Sequence, residues 1–445
     1  MPDFSSLPSV TALASIPELA GHEFIVRVVA AQSALEQARK ILRQGKMADV
    51  NQLATNAAKA LVSGSLRSVY NFSGVILHTG LGRAPIESGT LGDAYCNLEF
   101  DMASGKRGDR QDHIRSLLCD LTGSEDAMVV NNGAAAVFLT LTALCKGKQV
   151  LLSRGQSVEI GGSFRMPEII KSSGCKLVDV GTTNKCYVSD YVEAVTAQSA
   201  AILRCHPSNY EVSGFVSEPS LSDLARAAHD QNLLMINDQG NGAMIDFGSY
   251  GISGIEIMPA SVAGGADITI GSGDKLLGGP QCGIILGRKD LITKIKKHPM
   301  ARVVRIDKNS LLTLQSVLIS YRTEAYQNIP ILEILSIPAV TVKQWCETLA
   351  PEGAQIKESL CELGSGSGSG KGVASYSVVL PSCKPDQLLR ALRDQNIVGR
   401  IEKDAVWLDP RCVQSIHRSW DPHKNESPLM NGLKYCLTEC WNKWK

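Results

Sequence analysis

Between about residues 70 and 330, short apolar runs alternate with longer amphipathic stretches. The runs Ala127–Val130, Gln149–Leu152, Lys176–Val180, Ala200–Cys205, Leu233–Asn237, Ile268–Gly271 and Gly283–Gly287 are almost continuously hydrophobic. Runs of that length, bounded by turn residues, read as strands buried on both faces. Between them, Ala134–Cys145 and Leu221–Gln231 carry helical periodicity. The alternation predicts an α/β domain with a mostly parallel, seven-stranded sheet and helices on both sides.

The flanks read differently. In the first 65 residues, Ala34, Leu35, Ala38, Ile41 and Leu42 share one helical face. Asp49 is placed to cap a second helix over Asn51–Val62, and Gly64 to stop it. Beyond 330, helical Ile329–Leu335 and Thr341–Leu349 precede strand-like Tyr376–Leu380. A helix at Pro385–Gln395 and strands at Val398–Glu402 and Val406–Asp409 follow. The run Gly364-Ser-Gly-Ser-Gly-Ser-Gly-Lys-Gly372 reads as a flexible loop by composition. The division expected is therefore a helical N-terminal domain (1–65), a large α/β domain (66–330) and a small α+β domain (331–445).

Composition narrows the class. With 44% hydrophobic and 20% charged residues in 445, the chain can bury a large core. A net charge of +1 gives no global basic field for nucleic acid. The N-terminal segment holds Arg27, Arg39, Lys40, Arg43, Lys46 and Lys59, with Arg67 just beyond. Charge alone there fits a solvated helix face or an RNA contact. No apolar run reaches the ~18 residues of a membrane span, and Met-Pro-Asp-Phe-Ser-Ser lacks a signal-peptide pattern. The 13 cysteines form no C-x-x-C pair, so reduced thiols, a cytoplasmic location and no metal centre are expected.

The candidate chemistry lies at strand ends, where sites in such sheets form. Lys275 follows an apolar run and stands among glycines, in Gly271-Ser-Gly-Asp274-Lys275-Leu-Leu-Gly278-Gly279-Pro280-Gln281. Desolvation lowers an amine's pKa, and a neutral amine can condense with an aldehyde. Pyridoxal phosphate is such an aldehyde, and it needs an acid at its ring nitrogen. Asp238 closes the run Leu233–Asn237. That order, a strand-end Asp and then a strand-end Lys, is the order of the aspartate-aminotransferase-like fold (fold type I). Asn131-Asn132-Gly133-Ala134-Ala135 joins a strand to a helix and is a candidate phosphate cup. His206 and Phe164 are candidates to stack on the ring, although a lone His is more often structural. Basic clusters at His78–Arg83, Lys106–Arg110 and Lys297–Arg305 suggest an oxyanion-bearing substrate.

Several motifs resemble the bacterial L-seryl-tRNA(Sec) selenium transferase (selenocysteine synthase) family across essentially the whole chain. They are Asn71-Phe-Ser-Gly-Val-Ile-Leu-His78-Thr-Gly-Leu-Gly-Arg83, Val158-Glu-Ile-Gly-Gly-Ser-Phe-Arg165, Val180-Gly-Thr-Thr-Asn184, Ser272-Gly-Asp-Lys275-Leu-Leu-Gly-Gly-Pro-Gln281 and Val398-Gly-Arg400-Ile. The resemblance implies that Lys275 carries pyridoxal phosphate and Asp238 faces its ring nitrogen. Gly133, Ala134, Ala135, Ser272 and His206 would complete the cofactor site. It implies conversion of seryl-tRNA(Sec) to selenocysteinyl-tRNA(Sec), by loss of water to aminoacrylyl-tRNA and addition of selenium from selenophosphate. His78, Arg83, Arg302 and Arg305 would bind the donor anion. The N-terminal helices would grip tRNA, and the chain would assemble as a homo-oligomer, a decameric ring of dimers.

Some positions depart from the family pattern: Gly80, Gly133, Pro207, Gln239 and Asn241. They leave a second reading open, a related pyridoxal phosphate lyase acting on a small phosphorylated amino compound, of the aminosugar-phosphate ammonia-lyase type.

Overall fold

The apolar runs form strands because each can bury both of its faces. The computed structural model describes the chain except residues 1–3, 5, 88, 90, 92, 93, 162, 163, 207–209, 369, 422–426 and 445, and the side chains of 160 and 428. Seven strands lie at the expected runs: β1 (Asp126–Val130), β2 (Gln149–Ser153), β3 (Lys176–Val180), β4 (Ser199–Cys205), β5 (Leu234–Asp238), β6 (Ile268–Ser272) and β7 (Gly283–Gly287). Their order across the sheet is β1-β7-β6-β5-β4-β2-β3, and β7 alone runs antiparallel.

Successive side chains feed opposite layers. Ala127, Val129, Ile284 and Leu286 enter one core with Leu276, Leu277 and Phe247. Met128, Val130 and Ile285 enter the other with Val137 and Leu139. The register aligns Asp238 with Cys205 on one side and Ile270 on the other, so β4 and β5 end at one level and β6 runs two residues further. This is the aspartate-aminotransferase-like, fold type I arrangement.

The chain divides into two compact units, Met1–Val69 and Tyr70–Lys445. The first contains α1 (Val10–Ala14), α2 (Phe24–Arg43) and α3 (Val50–Val62), packed on buried Leu13, Ala30, Ala34, Leu35, Ala54 and Ala58. Small residues on the facing stripes let α2 and α3 approach closely. Asp49 caps α3 by accepting the Gln52 N–H at 3.0 Å.

In the second unit, a four-stranded antiparallel sheet follows the large one. Its strands are β8 (Gln355–Glu362), β9 (Gly372–Pro381), β10 (Arg400–Glu402) and β11 (Ala405–Leu408), in the order β8-β9-β11-β10. Helices Ala339–Leu349, Pro385–Asp394 and Pro428–Asn442 share a core with it around Trp345, Leu380, Leu392, Leu408 and Trp441.

The Gly/Ser run forms a loop, as expected, and its described residues are anchored. It closes the β8–β9 hairpin, with Leu363 N–H bonded to the Lys371 carbonyl at 2.9 Å and Ser367 only 1% exposed. Gly364 has φ +74°, and a Cβ there would sit 2.4 Å from Val75 Cγ1. The glycines answer backbone geometry and close packing. The expected strand 398–402 is broken by Gly399. Ile397–Val398 pairs in parallel with Tyr70–Asn71, whereas β10 pairs with β11. Residues 70–77 thus run along the C-terminal sheet before reaching His78, with Ile76 and Leu77 N–H bonded to the carbonyls of Glu362 and Leu363. Among the described residues, no helix is long and apolar enough to cross a membrane.

Candidate active site

Lys275 sits three residues past the end of β6 and is 6% exposed. Its turn is held from several directions. Leu276 N–H bonds the Asn241 carbonyl, Gly278 N–H the Lys275 carbonyl, and Tyr321 Oη the Leu277 carbonyl at 3.0 Å. Gly278 has φ +73°, and a Cβ there would lie 2.5 Å from Ile331 Cγ2. Burial pushes the Lys275 amine below its ordinary range, Asp238 opposes that, and Arg83 adds to it. Burial likewise lifts the Asp238 carboxyl to about 6, against the pull of Lys275. A lysine and a carboxyl with opposed shifts mark this site as built for proton chemistry.

The helix that follows β1, α4 (Gly133–Cys145), begins beside them. Asn132 Oδ1 accepts the Ala135 N–H at 2.8 Å. The N–H groups of Gly133 and Ala134 have no partner among the described residues. They open a positive helix end to an anion. Two close approaches fix the cup. A Cβ on Gly133 would lie 2.6 Å from Ser272 Oγ, and one on Gly283 would lie 2.2 Å from the Asn132 carbonyl.

His206 follows β4 and donates its N–H to the Asp238 carbonyl at 3.0 Å. Its Nδ1 is buried without a hydrogen-bond partner, and burial holds its pKa below the ordinary imidazole value, with Glu256 opposing. It is a neutral ring on the β5 side of the site. A helix-end anion cup, a desolvated lysine, a strand-end carboxyl and a neutral imidazole fit pyridoxal phosphate in each of its functional groups. Phe164 packs against the core below the sheet, and Pro207, Ser208 and Asn209 lie outside the described residues.

The four expected anion-binding residues fall in two groups. Arg83 Nη1 pairs with Asp274 Oδ2 at 2.7 Å, and Ala84 N–H bonds the Asp274 carbonyl, which ties the His78–Arg83 segment to the residue before Lys275. Arg83 adopts φ +64°, and its N–H bonds the His78 carbonyl. Arg305 instead pairs with Glu99 at 3.0 Å, and Arg302 is exposed nearby. Arg107 and Arg110 bind that same Glu99, so the second and third basic clusters are one assembly.

Comparison with known proteins decides what carries this arrangement. The chain matches the family model SelA, L-seryl-tRNA selenium transferase, over residues 69–414. It belongs to that family. It is 38% identical over 443 residues to the L-seryl-tRNA(Sec) selenium transferase of Hyphomonas neptunium, covering 93% of this chain and 95% of that one. It is 40% identical over 407 residues to that of Aquifex aeolicus, covering 87% and 90%. Among solved structures, D-glucosaminate-6-phosphate ammonia-lyase superposes with a TM-score of 0.58 at 19% identity, covering 85% of this chain and 96% of that one. That likeness shows the fold alone.

Against the selenium transferase pattern, the departures at Gln239 and Asn241 prove internal. Both are buried. Gln239 Oε1 accepts the Gly242 N–H at 2.7 Å and Asn241 Oδ1 the Ala243 N–H at 2.8 Å. Since the Asn241 carbonyl also holds Leu276, these side chains brace the Lys275 turn. Gly133 leaves room that Ser272 Oγ fills, and Gly80 lies against the His78 ring.

Sequence reasoning missed Arg204 and Glu256. They pair at 2.7 Å, both largely buried, and share Asn237, which bonds Glu256 at 2.7 Å. Burial works against the Glu256 carboxylate, yet Arg204, Ser261 and Asn237 hold it below the ordinary range. The network braces the residues just before His206 and Asp238. The only signal was a charged residue inside each apolar context, and its partner lies 52 residues away. A cavity of about 230 Å³ opens on the far side of His206, between the ends of β2, β3 and β4 and the 367–371 turn. It does not include Lys275 or Asp238.

Proposed function

We propose that the chain converts seryl-tRNA(Sec) to selenocysteinyl-tRNA(Sec), eliminating water from the seryl group and adding selenium from selenophosphate. Burial of Lys275 beside Asp238, with Arg83 anchored on the neighbouring Asp274, carries the reading. A desolvated amine, a buried carboxyl and a guanidinium that act on one another electrostatically support roles in proton transfer and anion binding.

Pyridoxal phosphate, when bound, supplies an electron sink for the carbanion left by α-proton loss. Lys275 would hold it, and its lowered pKa suits the same amine to move the α-proton. Asp238, ionised above about pH 6, would keep a proton on the ring nitrogen. The Gly133 and Ala134 N–H groups, with Ser272 and the start of α4 at Ala135, would hold the phosphate. His206, uncharged, would lie against the ring. His78 and Arg83, with Arg302 and Arg305, would meet the oxyanion of the donor.

Residues 1–65, with their lysines and arginines, are read as the tRNA-binding part, 66–330 as the cofactor domain and 331–445 as the small domain. A homo-oligomer, a decameric ring of dimers working in the cytoplasm, completes the reading. Identity of 38–40% to selenium transferases, against 19% to the ammonia-lyase structure, favours a tRNA substrate over a small phosphorylated one.

The test gives the cofactor-loaded protein seryl-tRNA(Sec), with seryl-tRNA(Ser) as control, and selenophosphate. Conversion of the first alone is expected. Failure to bind either tRNA while retaining cofactor would overturn the reading.

A further inference from the structure

We propose that Glu99 is a positioning residue, fixing the direction of the Arg305 guanidinium so that it meets the selenium donor. The inference rests on the donor-binding reading of Arg305. Glu99 Oε1 accepts Arg110 Nε at 2.9 Å, Arg110 Nη2 at 2.6 Å and Arg305 Nη1 at 3.0 Å. Its Oε2 accepts Arg107 Nη2 at 2.8 Å.

The assembly is closed on the main chain. Arg110 is buried, and its Nη1 donates to the Ile306 carbonyl at 2.7 Å, one residue past Arg305. Arg305 itself forms a bridge with Val130 at the end of β1, and Asn131 N–H bonds the Val304 carbonyl at 2.9 Å. The Arg305 main chain therefore runs beside the strand end that leads into α4, and its guanidinium is held on Glu99.

One carboxylate gathers three guanidiniums, which leaves a surplus of positive charge. Arg302, exposed one turn before Arg305, adds to it. Hydrogen bonds from Arg110 and then Arg107 drive Glu99 down to about 2, so it stays ionised at every working pH. Without that charge the three cations repel one another, and long side chains that repel swing apart into solvent. Arg305 then keeps its charge but loses its direction. For a fork that must match an oxyanion, direction is what is needed.

The experiment varies selenophosphate at saturating seryl-tRNA(Sec), using holoenzyme carrying Glu99→Gln, Glu99→Asp or Arg305→Ala. Glu99→Gln is expected to raise the selenophosphate KM about tenfold, the effect of one charge-assisted hydrogen bond, with kcat changed less than about twofold. Glu99→Asp, which keeps the charge on a shorter arm, should fall between it and wild type and stays informative if Glu99→Gln folds poorly. A selenophosphate KM that is unchanged or lower in both Glu99 variants, while Arg305→Ala raises it, overturns the positioning role alone. Equal loss toward both substrates with a lowered melting temperature also overturns it, because that is the mark of a structural residue. If Arg305→Ala leaves the selenophosphate KM unchanged, the donor-site reading itself falls.

Discussion

Asp238→Asn should make the cofactor-free protein more stable while abolishing activity. The Asp238 carboxyl rises from an ordinary 3.8 to about 6 because burial penalises its charge. A group whose pKa is raised by folding stabilises the fold below its unfolded pKa, and that contribution is lost as pH rises through the folded value. At pH 7.5 the charged carboxylate therefore costs the empty site ~3 kcal/mol, from a shift of about two units at 1.36 kcal/mol each. At pH 5 the same linkage gives roughly half of that, because the folded group is still mostly protonated. The neutral amide escapes the penalty. Denaturant unfolding of both cofactor-free proteins at pH 5 and 7.5 measures the difference. The expected gain is ~3 kcal/mol at the higher pH and about half as much at the lower. A variant no more stable than wild type at pH 7.5, or a gain independent of pH, would refute the claim that Asp238 is held charged against its environment.

Three further outcomes follow from the site. Lys275→Ala should lose both the absorbance band of covalently held cofactor and all turnover, and turnover retained in that variant would remove Lys275 from its role. Arg83→Ala should suppress selenium addition by at least about tenfold through loss of a charged contact, with water elimination still detectable as ammonia released when the aminoacrylyl group hydrolyses. Undiminished selenocysteine formation would count against it. Gly283→Ala places a Cβ 2.2 Å from the Asn132 carbonyl and 2.8 Å from Ala136 Cβ, so the start of α4 must shift. It should cost ~1–3 kcal/mol in stability and weaken retention of cofactor in dialysis, and retention at the wild-type level would show that the cup does not depend on this contact.

The sheet was legible because its strands are buried twice over. A run such as Met128-Val-Val or Ile284-Ile-Leu has no polar face to hide it, and both of its faces enter cores. Asp238 and Lys275 were legible for a related reason: a charged residue at the end of such a run has nowhere to go but the site. β8 was invisible because it is an edge strand, and Gln355-Ile-Lys-Glu-Ser-Leu keeps most of its side chains exposed. The 364–372 loop was legible as a loop but not in its packing, because composition reports how many conformations a glycine can take. It does not report that Gly364 lies under Val75.

The electrostatic frame was the least legible part. Glu99 and Arg305 stand 206 residues apart, and each looks like an ordinary surface charge in its own segment. Arg204 and Glu256 belong to strand and loop contexts that give no hint of one another. Hydrophobic pattern is local and repeats, so one segment suffices to show it. A charge pair exists only once topology has brought two segments together, and here the sheet order does so by placing β4 beside β5 and Val304–Arg305 beside the end of β1. The grouping of His78, Arg83, Arg302 and Arg305 as one anion site shows the consequence. The residue types suit oxyanions, yet within one chain Arg83 answers to Lys275's neighbour Asp274 and Arg305 to Glu99. A donor that needs both groups must itself bridge them, and that requirement is what the Arg83 and Arg305 variants would measure against each other.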